Sequence, residues 1–190
     1  MAKSTFRPAG ALIGSTIAIP FGLVFVLVNG SRLPGWGRAA SMTLAVVGIL
    51  AAVGLVVARR GPLLHATDAE VHPHAFDRRY WLIVLGEAIL LFGGLQVLRH
   101  LGHADGGVAW VATIVGLHFL PLARLWKEPV HLWIGLALMV LGLTGLVLLA
   151  SGSEPWVISA IAGVGSGVVL FLSVIHGLAT AGRHAPAVPA

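Results

Sequence analysis

The sequence predicts an all-α polytopic membrane bundle of six transmembrane helices with both termini cytoplasmic. Three observations carry that prediction. The 190-residue chain is 57% hydrophobic and only 10% charged, where a soluble domain carries about 25% charged residues. Its mean hydropathy is +0.95. Six apolar runs reach the roughly 20 residues that a bilayer-crossing helix needs, at about 10–30, 39–58, 80–99, 107–125, 130–150 and 156–178.

The first run is too long for the apolar region of a cleavable signal, and Asn29-Gly30-Ser31 is a poor small-residue cleavage site, so it is expected to remain as a helix. Pro20 in the first run and Pro121 in the fourth are expected to kink or open their helices. Small residues recur at close-packing spacing: Ser159, Gly163 and Gly167; Gly10 and Gly14; Gly86, Gly93 and Gly94. Such positions let helix backbones approach one another. Trp36, Trp81, Trp110, Trp126, Trp133 and Trp156 fall near the ends of the runs, the distribution of an interfacial aromatic belt.

Connections are short except for the polar segment 59–79, which divides a two-helix front from a four-helix back. Two helices alone bury little, so 1–182 reads as one six-helix domain, followed by a disordered tail at 183–190. With six spans the basic residues sort unequally. Lys3, Arg7, Arg59, Arg60, Arg78, Arg79, Arg124, Lys127 and Arg183 fall on one side, and Arg32, Arg38 and Arg99 on the other. The side richer in Lys and Arg is the cytoplasmic one. The net charge of +5 is therefore read through topology, and no nucleic-acid partner is expected. The chain has no cysteine, which excludes disulfides, thiolate metal sites and cysteine nucleophiles.

Polar residues inside the spans are the candidates for chemistry. Glu87 lies within Trp81-Leu-Ile-Val-Leu-Gly-Glu-Ala-Ile-Leu-Leu-Phe92. A carboxyl group at the centre of a membrane helix costs about 2.5–3.5 kcal/mol on the lenient insertion scales. It needs a partner, a cavity or a proton. Glu87 is seven residues into its span, or about 10 Å at 1.5 Å per residue. His118 is seven residues from the end of the next, antiparallel span, so the two share a depth and meet if the spans form a hairpin. Burial favours the neutral acid, a protonated His118 favours the carboxylate, and the sequence leaves both open. A structural role for Glu87, as an interhelical hydrogen bond, stands beside the functional one. So does a packing role for His118.

Arg124, His131, Ser173 and His176 fall at the same cytoplasmic end. They are expected to line a polar pocket built from the third to sixth spans and closed towards the outside. Arg124 and Lys127 are topology determinants by default; the sharper role for Arg124 is contact with a substrate phosphate at the mouth. His65, Asp68, Glu70, His72 and His74 match no closed zinc pattern, and no metal or cofactor is expected. Gly163-Val-Gly-Ser-Gly167 lacks the Lys-Ser/Thr ending of a phosphate loop.

Three segments are similar to those of known proteins: Phe21-Gly-Leu-Val-Phe-Val-Leu-Val-Asn-Gly30, Arg79-Tyr-Trp-Leu-Ile-Val-Leu-Gly-Glu87 and Val115-Gly-Leu-His-Phe-Leu-Pro-Leu-Ala-Arg124. They resemble a group of small six-helix bacterial membrane proteins. The chain is also similar in size and layout to the bacterial integral-membrane terpene cyclases, which act on prenylated indoles and related meroterpenoids. The resemblance implies a multi-pass protein of the bacterial inner membrane with a hydrophobic prenylated substrate and the lipid bilayer as its partners. It implies that Glu87 protonates a terminal alkene or epoxide, with His118 orienting it or passing protons. Tyr80, Trp81, Phe92 and Phe119 would stabilise the cations that follow. No Asp-rich magnesium motif is present, which disfavours ionisation of a diphosphate. The single intramembrane acid is a departure, because a two-carboxylate mechanism would lack its second group. A small proton-coupled transporter using Glu87 and His118, and a non-catalytic accessory protein, are the competing readings. The oligomeric state is not legible.

Overall fold

The computed structural model describes residues 8–67 and 77–180, and the side chains of 14–58 and 77–180. Asp68, Glu70, His72, His74, the side chain of His65 and the tail 183–190 lie outside them. Among the described residues every regular element is helical: α1 Pro8–Gly30, α2 Gly35–Thr67, α3 Arg78–His100, a 3₁₀ turn Ala104–Gly106, α4 Gly107–Trp126, α5 Pro129–Ala150 and α6 Pro155–Thr180. Five of the six long helices, α2 to α6, are long and apolar enough to cross a membrane, and α1 contributes the shorter apolar stretch Gly14–Gly30. Helix α2 continues nine residues past Ala58, so the expected polar connection begins as helix.

Local chemistry explains where the helices stop. The Asp77 carboxylate accepts from the backbone N–H groups of Arg79 at 2.9 Å and Tyr80 at 3.1 Å, which caps α3. At its other end Gly102 takes φ +77° while His103 N–H donates to the Leu98 carbonyl at 2.8 Å. Gly152, at φ +73°, ends α5 in the same way, with Ser153 N–H donating to Leu148. Left-handed glycine is the usual solution for such a reversal, because it satisfies the last carbonyls without a Cβ clash.

Helix α6 joins the parts. It contributes to all four buried clusters: Val174 and Leu178 with Ala52 of α2, Phe171 with Val26 and Ala45, Leu170 with Phe25, Ala112, Val115 and Leu138, and Ile158 and Ala162 with Ala109. Helices α1 and α2 close on α6. Gly163 and Gly167 make this possible. A Cβ on Gly167 would lie 2.9 Å from the Gly22 carbonyl, and one on Gly163 would collide with Asn29. Those small residues serve close packing within the chain. Gly14, Gly86 and Gly93 face open space.

Both α1 and α4 run through their prolines as continuous helix. Helix α6 carries a change of helix type, where Ser159–Val164 form a π-helical segment beside α1. The tightest helix pair is α4 with α5, where glycine meets backbone: a Cβ on Gly116 would sit 2.5 Å from the Met139 nitrogen and 2.6 Å from the Gly135 carbonyl.

Helix α3 is the outlier. It packs on α4 and the 3₁₀ turn, and no residue of it is buried. One aromatic lock holds it. The Trp110 ring lies over Gly94, and its indole N–H donates to the Leu90 carbonyl at 2.9 Å. Trp110 is thus a helix-to-helix anchor.

Candidate acid–histidine site

Because α3 and α4 form an antiparallel hairpin, residues equally far from the turn come level. Glu87 Oε1 lies 3.1 Å from His118 Nδ1, and both side chains are only about one-sixth exposed (17% and 15%). The contact is of ion-pair length, yet His118 Nδ1 lacks a hydrogen-bond alignment with any acceptor among the described residues. The two groups are therefore within ion-pair distance without an aligned hydrogen bond. The pair sits between apolar helix faces, where water competes little and a carboxyl–imidazole contact is stronger than it would be at a surface.

Rings continue from the pair towards the α5 end. His118 lies 4.6 Å from Phe119 between centroids, and Phe119 stacks on His131 at 5.9 Å. His131 meets the edge-on ring of Trp126 at 5.0 Å, and Trp126 stacks on Tyr80 at 6.0 Å. His131 Nδ1 is buried, with no aligned hydrogen-bond partner among the described residues. The first turn of α3, the last of α4 and the first of α5 therefore converge in one aromatic wall beside the acid. Of the residues singled out in the sequence, Glu87, His118, Tyr80, Phe119 and His131 come together.

The remaining ones do not. Phe92 is 71% exposed on the outer face of α3, and Trp81, though edge-on to Tyr80 at 5.4 Å, is 62% exposed. Neither faces the acid from within the bundle. Arg124 is exposed in the last turn of α4. Ser173 donates its hydroxyl to the Leu170 carbonyl of its own helix at 2.7 Å, and His176 is exposed. The pocket expected from the third to sixth spans is in fact a contact of α3, α4 and α5, because α6 packs on α1, α2, α4 and α5 but has no comparable contact with α3. Trp126 is the member that sequence reasoning missed. Its place at a helix end made it look like a belt residue, and only the α4–α5 turn, with Lys127 in the left-handed region at φ 55°, folds His131 back onto it.

A cleft lies at the opposite end of the bundle. It has a volume of about 340 Å³ and opens sideways between α1 and α3, with Val108 and Val111 of α4 as its floor. It lies where α3 packs on α4 and the 3₁₀ turn but not closely on α1. Among the described residues no group of three His, Asp or Glu could hold a metal ion.

Comparison with family models, with curated proteins and with solved structures gives no match.

Proposed function

We propose that the protein is an integral-membrane, protonation-initiated cyclase of a hydrophobic prenylated substrate, with Glu87 as general acid and both termini in the cytoplasm. The observation that carries this reading is the 3.1 Å contact of a carboxyl group with an imidazole inside an apolar helix wall. Insertion in the bilayer is supported by the five apolar helices and by the large exposed apolar residues, Trp36, Phe92, Trp133 and Val147 among them, a surface suited to lipid rather than water.

The chemistry needs nothing beyond substrate and protein. The protonated Glu87 carboxyl gives its proton to the less substituted carbon of the terminal prenyl alkene. The π electrons form the new C–H bond and leave a tertiary cation. A second alkene, or an aromatic ring of the substrate, attacks that cation and closes a ring. Loss of a proton to a carboxylate or imidazole ends the sequence, so the net change is an isomerisation. His118 holds the Glu87 carboxyl in one orientation and can restore its proton. Phe119, Tyr80 and Trp126 offer ring faces to the positive charge. Water-poor surroundings protect the cation from capture.

The test is expression of wild type and Glu87→Gln in a host supplied with a farnesylated or geranylated aromatic compound. Wild type is expected to give a cyclised isomer, and Glu87→Gln to lose about 10²–10⁴-fold of it, the usual contribution of a general acid. Equal product from both would remove Glu87 as the acid. Absence of product from wild type, with the protein present in the membrane, would count against the cyclase.

A proton-coupled transporter would also use such a pair. Its requirement for a polar path is poorly met. The buried Asn29 and Thr113, which stand nearer the other end, donate to carbonyls of their own helices, Phe25 at 2.8 Å and Ala109 at 2.8 Å. Proton flux into vesicles dependent on a solute and abolished in Glu87→Gln would favour this reading instead.

A further inference from the structure

The cleft between α1 and α3 has an apolar body and a basic mouth. Phe21, Val24 and Val28 form one wall, Leu95 and Leu98 the other. Two guanidinium groups stand at the rim, Arg32 just beyond the end of α1 and Arg99 in the last turn of α3. They are answered there by one carboxylate: Arg32 Nη1 lies 3.3 Å from Asp105 Oδ1, with both side chains about half exposed. Among the described residues Arg99 makes only a long 3.5 Å contact, to the neutral Gln96 amide. A guanidinium is shaped to hold phosphate oxygens in pairs. The mouth therefore keeps a cationic donor to spare next to an apolar slot.

Size narrows the occupant. About 340 Å³ is at the small end of ligand-binding clefts, which run from about 300 to 1,000 Å³. Its apolar walls suit part of one hydrocarbon chain. The sideways opening faces the medium that covers the exposed apolar residues of α1 and α3. An amphiphile whose chain enters from the side and whose head remains at the helix ends satisfies both features.

We infer that this cleft binds one acyl chain of an anionic phospholipid, with the phosphate held by Arg99 and the Arg32–Asp105 pair bounding the mouth. Neither the cleft nor its occupant depends on what Glu87 does.

The test uses the full chain reconstituted in vesicles of equal parts phosphatidylglycerol and phosphatidylcholine, then extracted in mild detergent. Native mass spectrometry counts the lipid that each variant retains. Wild type is expected to keep phosphatidylglycerol about fivefold over phosphatidylcholine, the bias one basic residue gives at a membrane surface. Arg99→Gln should keep lipid but lose the bias. Val111→Trp, which fills the floor, should lose the retained lipid, while Val47→Trp on the exposed face of α2 should behave as wild type. If Val111→Trp fails to fold by circular dichroism, Leu98→Trp fills the cleft from the other wall and decides the point. Equal retention of the two lipids by wild type, or undiminished retention in the folded cleft-filled variant, would overturn the inference.

Discussion

At 3.1 Å, Glu87 and His118 are close enough to share a proton, and their neighbours decide what that proton can do. Imidazole can act as donor or acceptor as well as charge carrier, whereas a glutamine at 118 could only orient the carboxyl. The two roles separate by substitution. If His118 positions Glu87, product formation in His118→Gln should exceed that in His118→Ala by about tenfold, with the change in kcat and not in KM. If it mainly resupplies the proton, both variants should fall alike. Full activity in both would deny His118 any part. The depth of each residue was legible in the sequence, since seven positions from either end of adjacent spans set them level. The aromatic wall was not, because Trp126 and His131 meet only through the α4–α5 turn.

Elements are held by different means, and their tolerance of change should differ. At the α4–α5 seam the backbones themselves touch, so a side chain has nowhere to go. Gly116→Leu should destabilise the protein by at least the 1–3 kcal/mol typical of overpacking, because its Cβ already meets the Met139 nitrogen and the Gly135 carbonyl. On the exposed helix α3, a Cβ added at Gly86 would meet nothing within 4 Å. Gly86→Ala should be neutral or stabilising by about 0.5–1 kcal/mol, the helix preference of alanine over glycine. Thermal unfolding of the two variants in one detergent measures the contrast, and a similar loss in both would contradict the packing described. Spacing alone pointed to Gly86 and Gly93 as contact positions. A helix has several faces, and small residues mark a contact only where another helix comes to lie.

For the molecule as a whole, the natural absence of cysteine offers a direct test of topology. The proposed six crossings would place Ser31 and Ser151 on one side and Lys127 on the other. Single substitutions to cysteine at these positions should therefore label from opposite faces of intact cells with a membrane-impermeant thiol reagent. The positive-inside rule expects Ser31→Cys and Ser151→Cys to react from outside and Lys127→Cys only after permeabilisation. Labelling of all three from one face would refute the six-span arrangement.

What the amino-acid sequence determined by itself was the apolar, all-helical character of the chain, the approximate helix limits and the level of Glu87 against His118. Those follow from composition and from a fixed rise per residue, both local properties. Only the tertiary structure decided that α6 stands at the centre, that Ser173 bonds to its own helix while His176 lies exposed, and that a cleft opens between α1 and α3. Each of these depends on which helix faces meet. In apolar helices nearly every face could be buried, so hydrophobic periodicity, the usual guide to orientation, carries little information.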